Sequence, residues 1–160
     1  MQTKEKINIT QVKPGMLWYK GDIFSFEKIE GKEVKAIVEL VEDGVIYGDL
    51  TASEMFDIRE EMLNWGNAKN FIDNFYYPSQ RGEAVVWYSI EQLEKVCKNY
   101  ELVKKAFREI KKPFRKEFYW SSTERSSTSA WYLFFENRFV HTNVKYDKFF
   151  VRPVLTLTVK

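Results

Sequence analysis

A chain of 160 residues that is 44% hydrophobic and 30% charged holds enough apolar material for one domain, and too much for a disordered segment. Its 25 basic and 23 acidic residues leave a net charge of +2, so composition alone argues for neither a polyanion nor a membrane surface as partner. The single cysteine, Cys97, excludes an intrachain disulfide and a cysteine-based zinc site. With no signal-peptide pattern after Met1 and no run of about 18 apolar residues, the chain is expected to stay in the cytoplasm or a virion, without membrane contact.

The elements divide one α+β domain into three stretches. In residues 1–50, Leu17-Trp18-Tyr19 and Ile23 to Phe26 flank Lys20-Gly21-Asp22 and predict a hairpin. Val34 to Val41 and Val45-Ile46-Tyr47, separated by Glu42-Asp43-Gly44, predict a second. Residues 51–112 change period. Thr51 and Glu54 have capping-box spacing ahead of Met55, Ile58, Met62 and Leu63, which predicts a helix from near Ala52 to near Gly66, with a further turn or two from Asn67 to Tyr76. After a loop at Tyr77 to Gly82, Ser89 and Gln92 repeat that spacing, and two helices follow on Ile90, Leu93, Val96, Cys97 and on Leu102, Val103, Ala106, Phe107, Ile110, ending before Pro113. Residues 117–160 are β-rich: 11 of the 27 aromatic residues lie between Phe118 and Phe150, and Ala130 to Phe135 with Phe139 to His141 predict a hairpin over Glu136-Asn137-Arg138. Phe149 to Val159 closes the chain, with Pro153 at an edge, a bulge or a strand end.

Tyr119-Trp120-Ser121-Ser122-Thr123-Glu124, Ala130-Trp131-Tyr132 and Val151-Arg152-Pro153-Val154, in that order and spacing, resemble the Lcl C-terminal domain-like family, and the helix pair Ser89 to Ile110 resembles the segment that precedes the first block there. The resemblance covers the chain from about Thr51 onward. It implies a C-type-lectin-like fold, twisted antiparallel sheets with two or three short helices, with the first hairpin and last strand in one sheet. It also implies a non-enzymatic recognition role, adhesin-like or of the phage receptor-binding kind, toward a protein or glycan. The Glu-Pro-Asn, Gln-Pro-Asp and Trp-Asn-Asp calcium motifs of sugar-binding C-type lectins are absent. The related formylglycine-generating enzymes need a cysteine pair, which one cysteine cannot supply.

No phosphate loop, Gly-x-Ser-x-Gly or His-Glu-x-x-His pattern occurs, so no catalytic residue, cofactor or metal is expected. Cys97 reads as a core residue and Asp57, Glu60 and Glu61 as a solvated face. With Trp131, Leu133 and Phe135 inward, period two sends Tyr132 and Phe134 to the other face, and places Phe139 and His141 opposite an inward Val140. Either both faces of this sheet are covered or aromatic rings reach solvent. In the second case Phe134, Phe139, His141, Tyr146 and Phe149, with Arg125, Arg138, Asn143 and Lys148, form a binding face. Arg152 is assigned to structure, paired with Glu124. The alternative function is an intracellular polyanion-binding module, for nucleic acid or an acidic glycan, using Lys104, Lys105, Arg108, Lys111, Lys112, Arg115 and Lys116.

Overall fold

The β-branched run from Val34 becomes the strand around which the larger sheet is arranged. The computed structural model describes residues 9–56, 58, 61–79 and 81–159. These form strands β1 (Leu17–Tyr19), β2 (Phe24–Ser25), β3 (Val34–Glu42), β4 (Val45–Asp49), β5 (Ala84–Val86), β6 (Phe118–Glu124), β7 (Ser129–Phe134), β8 (Phe139–Val144) and β9 (Val154–Thr158). The helices are α1 (Trp65–Asp73), α2 (Ile90–Lys98) and α3 (Tyr100–Glu109). One antiparallel sheet has the order β2-β1-β3-β4-β9-β5 and a second the order β6-β7-β8, so the α+β class holds and the first hairpin shares a sheet with the last strand. Asp43 and Gly44 both take positive φ, the geometry a two-residue hairpin turn requires. Pro153 lies just before β9, at a strand end, and its carbonyl accepts from the Leu50 N–H.

β3 is buried from Val34 through Leu40, covered on both faces, yet it carries Lys35 and Glu39. Each is the extra residue of a bulge. Trp18 pairs with Ala36 and Tyr19 with Val34, leaving Lys35 over; Val38 pairs with Gly48 and Leu40 with Tyr47, leaving Glu39 over. A bulge re-aims the inserted side chain, which lets a strand with an apolar interior deliver a charge to one chosen place. Lys35 is taken by Glu83, with Asp22 3.7 Å away and the Trp18 ring 5.2 Å away. Glu39 pairs with Arg152, and Asp49 lies 3.4 Å from the same guanidinium. The expected partner of Arg152, Glu124, is instead an exposed residue 3.6 Å from Lys145. A guanidinium sealed in the core needs carboxylates sealed with it, and Glu124 at the sheet's outer end cannot supply that.

Gly48 is needed where it stands: a Cβ there would come within 2.8 Å of the Ala36 Cβ and 2.9 Å of the Trp18 ring. Trp18 lies flat on that spot, its indole N–H donating to Asp22 Oδ1 at 2.8 Å.

The helices divide the expectations. Ser89 and Gln92 form the full capping box of α2. α3 ends at Glu109, so residues 111–116 are not helical. The helix expected to begin near Ala52 is absent among the described residues up to Asn64, where only a short 3-10 turn, Leu50–Ala52, forms. Both halves of the supposed capping box have other partners. The Thr51 N–H and hydroxyl both donate to Asp49 Oδ1, and Glu54 accepts the Val34 N–H at 2.7 Å while pairing with Lys28. Leu63 forms a two-way bridge with Phe149. The helix starts at Trp65, capped by Asn64, whose Oδ1 accepts the Asn67 N–H, and runs through Gly66.

Complete burial pushes the Glu39 carboxyl up to about 8, against the pull of Arg152. Between its ordinary 4.5 and about 8, unfolding releases a proton that the folded state retains. This group's contribution therefore falls as pH rises through that window, by up to about 1.4 kcal/mol per pH unit, and is level outside it. Urea titrations across pH should show that slope in the difference between the wild type and Glu39→Gln; a difference flat from pH 4.5 to 8 would contradict it. Arg152→Met, which leaves two buried carboxyls without their cation, should cost about 3–5 kcal/mol in the same titration.

Candidate binding face

The three-stranded sheet is positioned by an unusual number of side-chain bonds to main chain. β6 leaves its ladder with β7 after Trp120 and regains it at Glu124. In that gap Ser121 Oγ donates to the Trp131 carbonyl at 2.8 Å, the Ser122 N–H donates to the Tyr88 carbonyl, and Thr123 Oγ1 accepts the Ile90 N–H. Three indole N–H groups finish the junction: Trp65 to Ser121 O, Trp87 to Trp120 O and Trp120 to Leu63 O. The Tyr-Trp-Ser-Ser-Thr block is thus the point where β6, α1, β5 and α2 are tied together.

From that junction the period-two rule sorts the rings. Leu133, Phe135 and Tyr119 are buried against Leu93, Val96 and Cys97 of α2, with Trp131 and Val140 packed beside them. Burial pushes the Cys97 thiol up to about 11, so it is an inert core group. On the opposite face Phe118, Phe134 and Phe139 stand in one row across the strands, and Trp120, Tyr132 and His141 in the next. α1 covers one end of this face with Trp65, Ala68 and Ile72, against Trp120, Ala130 and Tyr132. Phe149 crosses over it, 4.7 Å from both Trp120 and Tyr132. The other end is open. Phe118 and Phe134 are stacked at 4.3 Å and half-buried, while Phe139 is 46% exposed and stacked on exposed His141. The two alternatives left by the sequence are therefore both realised, one at each end of the same face.

Of the nine expected residues, Phe134, Phe139, His141 and Phe149 share this face. Arg138 is exposed at the turn beside it, with positive φ. Asn143 lies on the same face, its side chain turned back to accept the Val144 N–H. Tyr146, 91% exposed, and exposed Lys148 stand in the turn after β8. Arg125 does not belong with them: it reaches Thr142 Oγ1 at 3.4 Å, and Thr142 is paired with Trp131 on the opposite face. The residue overlooked is Phe118, which the parity of Phe134 would have placed.

The basic run is split. Lys105 and Arg108 are exposed on α3, whereas Lys112 donates to the Ser53 carbonyl and Arg115 lies over the Phe150 ring. Asp57 and Glu60 lie outside the described residues, and Glu61 is exposed. A cleft of about 600 Å³ opens between α1, β5 and the end of β6, with Trp65, Trp87, Asp73 and Glu124 among its walls. Among the described residues no group of His, Cys, Asp and Glu side chains is placed to hold a metal ion, and no helix is long and apolar enough to cross a membrane.

No protein-family model matches the chain, and no curated protein sequence matches it.

The face predicts unequal costs for its phenylalanines. Phe149→Ser, which empties a site between Trp120, Tyr132 and Phe118, should lower stability by about 2–4 kcal/mol. Phe139→Ser should lower it by less than about 1 kcal/mol. Thermal melts of the two variants decide this, and equal losses would mean that Phe139 is as enclosed as Phe149.

Proposed function

We propose that the protein is a non-enzymatic recognition domain of C-type-lectin-like fold that binds a protein or glycan through the open end of the β6-β7-β8 face. The observation that supports it is the row Phe118, Phe134, Phe139 with His141 alongside, left half-covered by α1 and edged by Arg138. A contiguous aromatic surface rimmed by polar groups marks an interaction site, because covering it removes apolar area from water while the rim fixes orientation. The three-block resemblance supports the same reading, and implies a role of the adhesin or phage receptor-binding kind. The arrangement of the molecule suits it: the first block builds the junction, and Phe134, Phe139 and Phe149 of the face lie between the second block and the third. The polyanion reading is the weaker one, since part of the basic run is engaged within the fold.

Binding can be read on a glycan array and in pull-downs from host-cell surface extracts. Phe139→Ser and Arg138→Ser should each lower retention of whatever the wild type holds by tenfold or so, with melting temperature unchanged, an apolar or charged anchor at an interface being worth about 1–2 kcal/mol. Neutralising Lys105 and Arg108 should leave retention unaltered. The reverse pattern, together with binding that weakens steeply with salt, would replace this reading with a polyanion ligand.

A further inference from the structure

The two edges of the β6-β7-β8 sheet are unlike. The β6 edge is closed by its own chain: the Trp120 N–H donates to the Phe150 carbonyl, and the Phe150 N–H to the Phe118 carbonyl. Beyond β8 the described residues supply no strand. β8 also lacks the residue types and the bulge that usually protect an open edge. Phe-Val-His-Thr-Asn-Val contains no proline, lysine or carboxylate, and its register against β7 is regular from end to end.

Its outward-facing groups follow from the pairing. The Lys145 N–H donates to the Thr128 carbonyl, so the hydrogen-bonded pairs with β7 fall on Asn143, His141 and Phe139, and Val140, Thr142 and Val144 direct their amides and carbonyls away from the sheet. Two of these positions are filled by the strand's own side chains. His141 Nδ1 lies 2.9 Å from the Thr142 carbonyl, and Asn143 Oδ1 accepts the Val144 N–H at 2.7 Å. The Val144 carbonyl is tied to the Asp147 N–H.

We propose that β8 pairs antiparallel with β8 of a second copy of this chain, about a twofold axis at Thr142. An axis at Thr142 keeps the pairing inside β8 and sets His141 against Asn143, whereas an axis at His141, which also stays inside β8, sets the two imidazoles opposite each other. An axis at Val144 needs a carbonyl already committed to the turn, and an axis at Val140 runs Thr142 against Arg138, which lies outside β8 at positive φ. With Thr142 on the axis, the two Thr142 residues exchange main-chain bonds, and each Val144 N–H donates to the other copy's Val140 carbonyl. The side chains are then self-complementary. Val140 faces Val144 and Thr142 faces Thr142 on one side of the sheet, and His141 faces Asn143 on the other; β-branched, Thr–Thr and polar pairs of this kind favour pairing, and no like-charged residues of β8 stand opposite each other, the Arg125 side chain at each Thr142 Oγ1 lying beside the axis. His141 and Asn143, released from capping the edge, are left to bond to each other across the interface. Val144, 48% exposed, and Phe139 gain cover. A twofold axis normal to the sheet sets the two aromatic faces side by side on one surface, an isologous dimer. This goes beyond the binding reading and does not depend on it.

Light scattering on the full chain during size-exclusion chromatography tests the pairing without any ligand. The wild type should elute as a dimer. Thr142→Lys and Thr142→Glu, each placing like charges across the axis, should elute as monomers that still unfold cooperatively, at the lower melting temperature the wild type approaches when diluted to monomer, and an equimolar mixture of the two should recover the dimer. Having two variants of opposite charge keeps the test decisive if one fails to fold. A wild type that stays monomeric up to its solubility limit, or a variant that stays dimeric alone, would overturn the proposal.

Discussion

The Arg152 guanidinium is the point that both sheets share. It pairs with Glu39 of β3, lies 3.4 Å from Asp49 at the end of β4, and is stacked 4.7 Å from Tyr119 of β6 and 4.6 Å from Phe135 after β7. Tyr88, ahead of α2, donates its hydroxyl to Glu39. A cation with five donors and two aromatic neighbours, wholly enclosed, tolerates little displacement, because any polar group it loses is left in a medium where it cannot be replaced by water. Such a centre is a poor source of net stability and a strong source of geometry. Here it fixes the extended segment that leads into β9 against β3 and β4 on one side and against the floor of the second sheet on the other.

Placing that centre needed a departure from strand regularity. In an unbulged β3 alternation would set residues 35, 37, 39 and 41 on one face, and the two charges would compete with Ile37 and Val41 for it. The bulges at Lys35 and Glu39 change parity locally, so that Ile37 stays in the cluster with Leu17, Tyr19 and Val103 while Glu39 turns to Arg152. The same device serves Lys35, whose partner Glu83 sits just ahead of β5 and so holds the sheet's last strand in place. Both ionic contacts therefore tie the central strand to segments far away in sequence.

This division explains what could be read from the chain. The Asp43-Gly44 turn, the Ser89/Gln92 capping box and the alternation from Trp131 to Phe135 are local rules whose partners lie within a few residues, and each appears as read. The helix from Ala52 was a failure of the same logic, because Thr51 and Glu54 satisfy the spacing while bonding to Asp49 and Val34. Arg152 and Glu39 are 113 residues apart, and only the bulge brings them together, so neither charge pattern nor periodicity reveals the pair. On the face, parity located the rings but could not tell which end α1 would cover. Arg125 was misplaced because the residues between β6 and β7 turn its side chain to the far face.

What leaves part of the aromatic face open is the length and entry point of α1. The helix begins at Trp65, with its cap Asn64 directly after the Leu63–Phe149 bridge, and its nine residues span about 13 Å at 1.5 Å per residue. Its buried positions, Trp65, Ala68 and Ile72, recur on one stripe and are spent over Trp120 and Ala130. Trp65 is further held by its bond to Ser121 and by Lys145 lying 4.3 Å over its ring, so the helix cannot slide toward the Phe134–Phe139 row without breaking a buried hydrogen bond. The opening is therefore a fixed property of the junction, not a gap that the chain can close on its own. Rings held by stacking on one another, and kept from collapsing by a helix anchored elsewhere, have little conformational freedom left to lose, which is the condition under which exposed aromatic area converts efficiently into affinity.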